Sequence, residues 1–172
     1  MQSLSALTSG TGNTAVGYQS LGTDDGPNNT AVGYQALQAN AGGYNTAVGS
    51  TALDACTGAE NTAVGWDAGG SIIGGTHNVC FGSNAGDTIT TGTSNTVIGA
   101  DSDVSGTGAT NQIVIGASAI GAVNNSVTLG NTSVTVVYMG QNKDATVHCA
   151  AVVEGSSLEI KTNISEIESP LD

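Results

Sequence analysis

A short repeat with an almost constant period constrains this chain more than any other feature. The segment NTAVG begins at Asn13, Asn29, Asn45 and Asn61, and it continues in altered form as NVCFG, NTVIG, QIVIG and SVTLG. The successive spacings of the glycines that close these eight copies are 16, 16, 16, 17, 17, 17 and 14. A period this regular predicts a repeat architecture in which each unit packs on its neighbours.

The repeat changes how the unusual composition of the chain is interpreted. Glycine accounts for 26 of the 172 residues, and charged residues for only 9%. In a chain without periodicity, such a composition would indicate too little apolar surface for a folded core. Here Gly, Asn and Thr recur at fixed positions of each copy, so the low apolar content instead favours a core shared between chains. We therefore expect a homo-oligomer.

Each copy contains a short segment with the alternation of a β-strand. Counting back from the closing glycine, the first position holds Val, Phe, Ile or Leu, and the third holds Thr, Val or Ile. Because side chains alternate across a strand, these two positions share one face, which we interpret as interior. The residue between them stays mostly small, with Ala in four of the eight copies. A small residue there predicts that another surface approaches the second face closely.

A second short run follows each glycine, as in YQSL, YQAL and STAL, and turn residues complete the copy. Ala or Ser at the third position of this run fits a tight interior. Two short strands and two turns in each copy predict an all-β fold, a parallel β-solenoid of about eight coils, each as long as the glycine spacing of 14–17. Stacked strands lie ~4.8 Å apart, so the coils would rise about 35 Å.

Equivalent residues of a solenoid form columns along its axis. Asn amides can then hydrogen-bond from coil to coil, and each glycine can supply a turn with positive φ. The predicted structural ladder consists of Asn13, Asn29, Asn45, Asn61, Asn78 and Asn95, together with Gly17, Gly33, Gly49, Gly65, Gly82, Gly99, Gly116 and Gly130.

The pattern changes after Gly130. Alternating apolar residues on either side of QNKD predict a short β-strand neck over residues 131–155. We therefore divide the chain into a β-roll repeat domain (1–130), this neck and a C-terminal segment (156–172).

The repeats resemble those of two groups of fibrous proteins. NQIVIGASA and NNSVTLG resemble repeats in the heads of trimeric autotransporter adhesins, and NTAVGYQAL resembles repeats of phage tail fibres and tailspikes. The resemblance covers about residues 10–130. It implies a left-handed β-roll and a homotrimer.

The segment EGSSLEIKTNISEIESPLD resembles the start of the endosialidase-type intramolecular chaperone of phage fibres. Ser156 and Lys161 stand at the same spacing as in that family, and an Asn-Ile pair follows. The resemblance implies that Ser156 attacks its own peptide bond with help from Lys161. Departures are Ser157, where the family has Asp, and Ile160, where it has Leu. The family domain is much longer, so we expect the chain to be a fragment ending just inside it.

The charge balance excludes several functions. Fourteen acidic residues stand against two lysines and no arginine, which gives a net charge of −12. Nucleic-acid binding and adsorption to anionic membranes both require basic residues. No apolar stretch approaches the length that a membrane-spanning helix needs, so we expect no membrane insertion. The first residues also lack the basic and apolar regions of a signal peptide.

Three aromatic residues directly follow their repeat glycine and therefore share one column: Tyr18, Tyr34 and Trp66. Such a column can stack on sugar rings, which makes it a candidate glycan-binding site. The alternative is that the rings pack on one another. The Thr column would suggest ice binding if it faced outward, but its interior assignment argues against that function.

The remaining polar candidates carry little chemistry. Asp24-Asp25 and the pair Asp101 and Asp103 fall in turns without a basic or His partner, so we interpret them as solvated residues rather than as glycosidase carboxylates or a calcium site. The histidines and cysteines show no ligand spacing, and we expect no metal and no cofactor. These residues are His77, His148, Cys56, Cys80 and Cys149.

Together these patterns favour a structural and adhesive segment of a phage tail fibre or tailspike. We expect a rigid homotrimeric rod in the virion, in contact with other tail proteins and with host-surface polysaccharide, and extracellular after release. Apart from self-cleavage of the longer protein, we expect no enzymatic activity. The alternative is the head domain of a bacterial trimeric surface adhesin, and the third hypothesis is a fragment of a polysaccharide depolymerase.

Overall fold

The computed structural model describes residues 10–23, 26–39 and 42–137. Within these ranges it contains eight parallel strands in a single sheet and no helix. None of the described residues therefore belongs to a helix long and apolar enough to cross a membrane. The strands are β1 (Thr14–Val16), β2 (Thr30–Val32), β3 (Thr46–Val48), β4 (Thr62–Val64), β5 (Val79–Phe81), β6 (Thr96–Ile98), β7 (Gln112–Ile115) and β8 (Ser126–Leu129).

Strand order follows sequence order, and the repeat sets the register. Thr14 pairs with Thr30, Thr30 with Thr46, and each later strand continues the same alignment. The prediction of a parallel β-solenoid is thereby confirmed. We number its coils from the first residue of each repeat: coil 1 (13–28), coil 2 (29–44), coil 3 (45–60), coil 4 (61–77), coil 5 (78–94), coil 6 (95–111) and coil 7 (112–125), with β8 opening an eighth.

The interior face is opposite to the one predicted. The middle residue of each strand points inward, and Ala31, Ala47 and Ala63 are fully buried. The Thr and Val positions face outward instead, and Val32 and Val48 remain 36% and 37% exposed. The reason is volume. The inward position takes Ala in β2–β4 and no residue larger than Val, as at Val97 and Val114, both fully buried.

The second predicted strand of each coil is absent from the described residues. The run after the glycine forms turns instead, because two of its residues take left-handed backbone conformations, as at Gln35 (φ 56°) and Leu37 (φ 51°). A strand requires negative φ throughout. The expected tight interior at the third position of this run is confirmed, since Ala36, Ala52 and Ala68 are fully buried.

Buried asparagines fasten each coil to itself and to the next. The Oδ1 of each ladder asparagine accepts the backbone N–H of its counterpart one coil later, at 2.7–3.1 Å. Its Nδ2 donates to a turn carbonyl of its own coil at 2.7–3.0 Å. Gln112 occupies the next place in this column and is also fully buried. No buried side-chain nitrogen or oxygen among the described residues lacks a partner.

The closing glycines stack so closely that no other residue fits. Seven of them have φ between 131° and 146°. A Cβ at Gly49, for example, would collide with the carbonyl oxygen of Gly65. Glycine is therefore required both by conformation and by close approach.

The solenoid belongs to a compact unit that ends at Val136. Residues 131–137 contain no strand. The rest of the predicted neck and the whole segment 156–172 lie outside the described residues.

Candidate functional site

The outer face of the sheet is formed by the outward side chains of β1–β8. One column of this face is apolar in every coil, and the other changes from Thr to mostly apolar residues toward the C-terminal coils. The first column consists of Val16, Val32, Val48, Val64, Phe81, Ile98, Ile115 and Leu129, and the second of Thr14, Thr30, Thr46, Thr62, Val79, Thr96, Ile113 and Val127.

This outer face is exposed and carries no charge. Phe81 is 55% exposed, and Ile98 and Ile115 are 37% and 40% exposed. A soluble monomer rarely leaves so long an apolar strip in water, and strips of this kind mark contact surfaces. The β-branched residues of this face are stiff at χ1, and each strand repeats the cross-strand pairing of its neighbour.

The aromatic column lies beside the outer face, one residue beyond the closing glycines. Tyr18, Tyr34 and Trp66 are 48%, 49% and 56% exposed. The rings of Tyr18 and Tyr34 stack with their centroids 5.8 Å apart and their planes 11° from parallel, the one ring contact among the described residues. Ser50 occupies the coil between Tyr34 and Trp66. The column thus combines a self-packed pair with a separate exposed ring.

Side chains next to the aromatic column are polar. The amide of Gln35 donates to Oε1 of Gln19 at 2.9 Å, and Gln38 donates to the same oxygen at 3.4 Å. Further along, Nδ2 of Asn84 donates to Asp101 at 3.0 Å. This edge of the solenoid therefore presents hydrogen-bonding groups beside aromatic rings, a combination suited to polyhydroxylated ligands.

Carboxylates occur along the turns of coils 3–6. Partial burial, with a smaller contribution from Asp67, raises the pKa of Asp54. Partial burial also raises the pKa of Asp103, although its carboxylate accepts the backbone N–H groups of Thr88 and Val104 at 2.8 Å. Asp101, the other member of that predicted turn pair, lies on the exposed edge with Asn84. No described group of three His, Cys, Asp or Glu residues is arranged to hold a metal ion.

The remaining titratable candidates show no reactive arrangement. The Nε2 of His77 lies 2.9 Å from a carboxylate oxygen of Glu60, and both side chains are more than half exposed. Cys56 and Cys80 are buried free thiols. Burial raises the pKa of Cys56 to about 11 and that of Cys80 to about 12, so both stay protonated and unreactive at neutral pH.

A surface depression of about 390 Å³ lies at coil 7 and the start of the next coil. It is lined by Ser118, Ile120, Thr128, Gly130, Asn131 and Thr132. None of these side chains titrates near neutral pH. The depression therefore offers no acid, base or charged group for chemistry.

Several predicted candidates lie outside the described residues. The Ser156 and Lys161 pair is among them, as are Asp24-Asp25, His148 and Cys149. The self-cleavage hypothesis thus stays a prediction.

Sequence reasoning missed that the Val column is a surface. The available signal was the column between the Thr and Val positions, because its residues stay small: Ala in four copies and nothing larger than Val in the others. In comparisons with known proteins, the chain matches no protein-family model and no curated protein sequence.

Proposed function

We propose that this protein is a rigid homotrimeric rod segment of a phage tail fibre or tailspike, with a structural and adhesive role. The supporting observation is the outer face, an uncharged and largely apolar strip that runs the length of the solenoid. Three copies packed through this face would bury the strip along a common axis. The inward position of each strand holds nothing larger than Val, as at Val97 and Val114, and association would add hydrophobic burial along the outer face.

The mechanism of such a segment is mechanical. In-register strands, the asparagine ladder and the stacked glycines join each described coil to the next, which suits a rod that transmits force. A left-handed β-roll, other tail proteins as partners and a place in the virion are parts of the same proposal. They are supported by the resemblance of the repeats to fibre and adhesin-head repeats and of the C-terminal segment to a fibre chaperone. The exposed edges are left to contact host polysaccharide.

Sedimentation velocity tests the trimer directly. The expected mass is about 50 kDa, three times the 16.8 kDa of one chain. Ile98→Glu places a charge in the middle of the outer face and should yield monomers, since burying unpaired carboxylates between chains is strongly unfavourable. Ile73→Glu is the matched control, because Ile73 is 51% exposed but lies in a turn outside the sheet. A monomeric wild type, or a trimer that tolerates Ile98→Glu, would contradict the proposal.

Self-cleavage at Ser156 is a further part of the proposal, and it is tested on the protein as its gene encodes it. Intact mass should reveal a species ending at the Ser156 junction, and the change Ser156→Ala should remove it. An uncleaved full-length protein would reject this part of the proposal while leaving the rod intact.

A further inference from the structure

The aromatic column contains a gap of one coil. Tyr18 and Tyr34 occupy adjacent coils and stack, whereas Ser50 separates Tyr34 from Trp66. Backbone hydrogen bonds hold this part of the column in strict register. Thr51 N–H donates to the Tyr34 carbonyl at 2.8 Å, and Asp67 N–H donates to the Ser50 carbonyl at 2.9 Å. The positions of Tyr34 and Trp66 are therefore fixed two coil spacings apart.

The size of this gap matches one ring. Two strand spacings amount to about 9.6 Å, so a ring midway would lie ~4.8 Å from each neighbour. That separation falls within the range of roughly 4.5–7 Å over which aromatic faces stack. Ser50, a small and half-buried residue, forms the floor. At this place in the column, coil 3 therefore carries no side chain larger than that of serine.

We propose that Tyr34, Ser50 and Trp66 form a slot that takes a single uncharged pyranose ring of a glycan, held between the two aromatic side chains. This inference rests on the adhesive part of the proposed function and names its ligand class. A pyranose presents C–H groups on its faces, which the negative faces of aromatic rings attract, and hydroxyls around its rim. The residues that follow the column in each coil, Gln35, Thr51 and Asp67, offer polar groups beside that rim.

Charge selects among sugars. The chain carries a net charge of −12, and Asp67 follows Trp66 in the chain. Sialic acids and uronic acids would be repelled by this carboxylate and by the surrounding field. Neutral hexoses and N-acetylhexosamines, in contrast, can donate hydroxyl hydrogen bonds to it. The slot therefore discriminates by charge as well as by shape.

Trp66 provides the readout, because it is the only tryptophan of the chain. Its fluorescence should change saturably on titration with N-acetylglucosamine, methyl glucoside and their short β-linked oligomers. N-acetylneuraminic acid and glucuronate should give no saturable change at the same concentrations. Failure of all neutral sugars, or an equal response to the acidic ones, would overturn the inference.

Filling the slot is the decisive variant. Ser50→Tyr extends the aromatic column through coil 3 and should abolish the response. The variant should fold, because Tyr is native at the equivalent positions 18 and 34. Tyr34→Ala removes one wall and should weaken binding about two- to tenfold. Tyr44→Ala is the matched control, since Tyr44 is 61% exposed but lies outside the column. A response retained in Ser50→Tyr would refute the slot.

Sedimentation of the same samples separates this inference from the proposed function. A trimer without any sugar response would remove the slot and leave the rod. A sugar-responsive monomer would keep the slot and remove the trimer, because all residues of the slot belong to coils 2–4 of one chain.

Discussion

Coils 1–3 and coils 4–5 fill the same interior in two different ways. In the first three coils, the main buried side chain is a leucine in a left-handed conformation. In the next two, glycine takes the leucine's place and an isoleucine shortly after it becomes buried. The leucines are Leu21, Leu37 and Leu53, with φ of 48–51°, and the replacing pairs are Gly69 with Ile72 and Gly86 with Ile89.

The difference shows that a longer coil can avoid the backbone strain that a shorter coil accepts. A left-handed conformation costs a non-glycine residue about 1–2 kcal/mol, whereas glycine adopts it freely. Burial of leucine offsets that cost at about 1.5–3 kcal/mol. Coils 4 and 5 avoid the strain by being one residue longer than coils 1–3, so that the isoleucine reaches the interior from the turn. A Cβ at Gly69 would lie 2.9 Å from Leu53 and 3.0 Å from Ile72, which confirms that the two solutions occupy one volume.

The largest effect should come from a feature that both regions share. Asn45→Ala in coil 3 and Asn78→Ala in coil 5 should each lower the free energy of unfolding by about 4 kcal/mol, since each leaves a buried backbone N–H unpaired and deprives a turn carbonyl of its amide donor. For Asn78 these groups are the N–H of Asn95 at 3.1 Å and the carbonyl of Gly92 at 2.8 Å.

Chemical denaturation at fixed protein concentration measures this loss. Asn84→Ala serves as the control, because its amide bonds Asp101 on the exposed edge, and it should cost less than about 1 kcal/mol. The losses in free energy of unfolding for Asn45→Ala and Asn78→Ala should agree to within the loss measured for Asn84→Ala. A larger difference would mean that the asparagine ladder does not stabilise the two regions equally.

Where a buried leucine has positive φ, replacement by Gly should cost less stability than replacement by Ala. This is the reverse of the order expected at a residue with negative φ. Leu37→Ala should destabilise by about 3 kcal/mol, as expected for a buried leucine. Leu37→Gly should be the milder change by about 1 kcal/mol, because glycine relieves the positive φ. At Ile89, which has no positive φ, Ala should be the milder replacement. Thermal or urea unfolding of the four variants would contradict the strain argument if Gly were worse at both positions.

Converting coil 4 to the leucine solution should sharpen the comparison. Gly69→Leu alone should destabilise by about 2 kcal/mol, through overpacking against Leu53 and Ile72. Adding Ile72→Ala should recover most of that loss, because the leucine then occupies the vacated volume. A double-mutant cycle measures the coupling. Simple additivity of the two losses would show that the side chains do not compete for one space.

The sequence predicts the stacking but not the inside of the coil. Identical residues at a constant interval can pair only in parallel and in register, so the order of β1–β8 follows from the repeat. The buried face does not follow. On so short a strand, alternation assigns two residues to one side and one to the other, and the larger apolar residues favoured the wrong assignment.

The missed turns have a related cause. Gln35 and Leu37 take a conformation that their side chains disfavour, and nothing in coil 2 signals it. An indication of positive φ comes from coil 4, where Gly69 occupies the position equivalent to Leu37 and Leu53. Of the candidate site, the aromatic column could be predicted from the sequence. The gap between Tyr34 and Trp66 could not, because it depends on the observed register of Ser50.

Coil 6 presents a third solution and the smallest predicted effect. Asp103 occupies the leucine place, and Val104 is buried beside it. Because burial raises the pKa of Asp103 above its usual 3.8, the folded state binds the proton more tightly than the unfolded state. Stability should therefore rise as pH falls through the folded pKa toward 3.8.

Relative to Asp103→Asn, which lacks this titration, the wild type should gain less than about 1 kcal/mol between pH 7 and pH 3.8. Urea midpoints of both proteins across this range measure the gain. Parallel pH profiles would mean that the Asp103 carboxylate is solvated as fully in the coil as in the unfolded chain. Coil 6 would then not bury the Asp103 side chain in the place that leucine fills in coils 1–3.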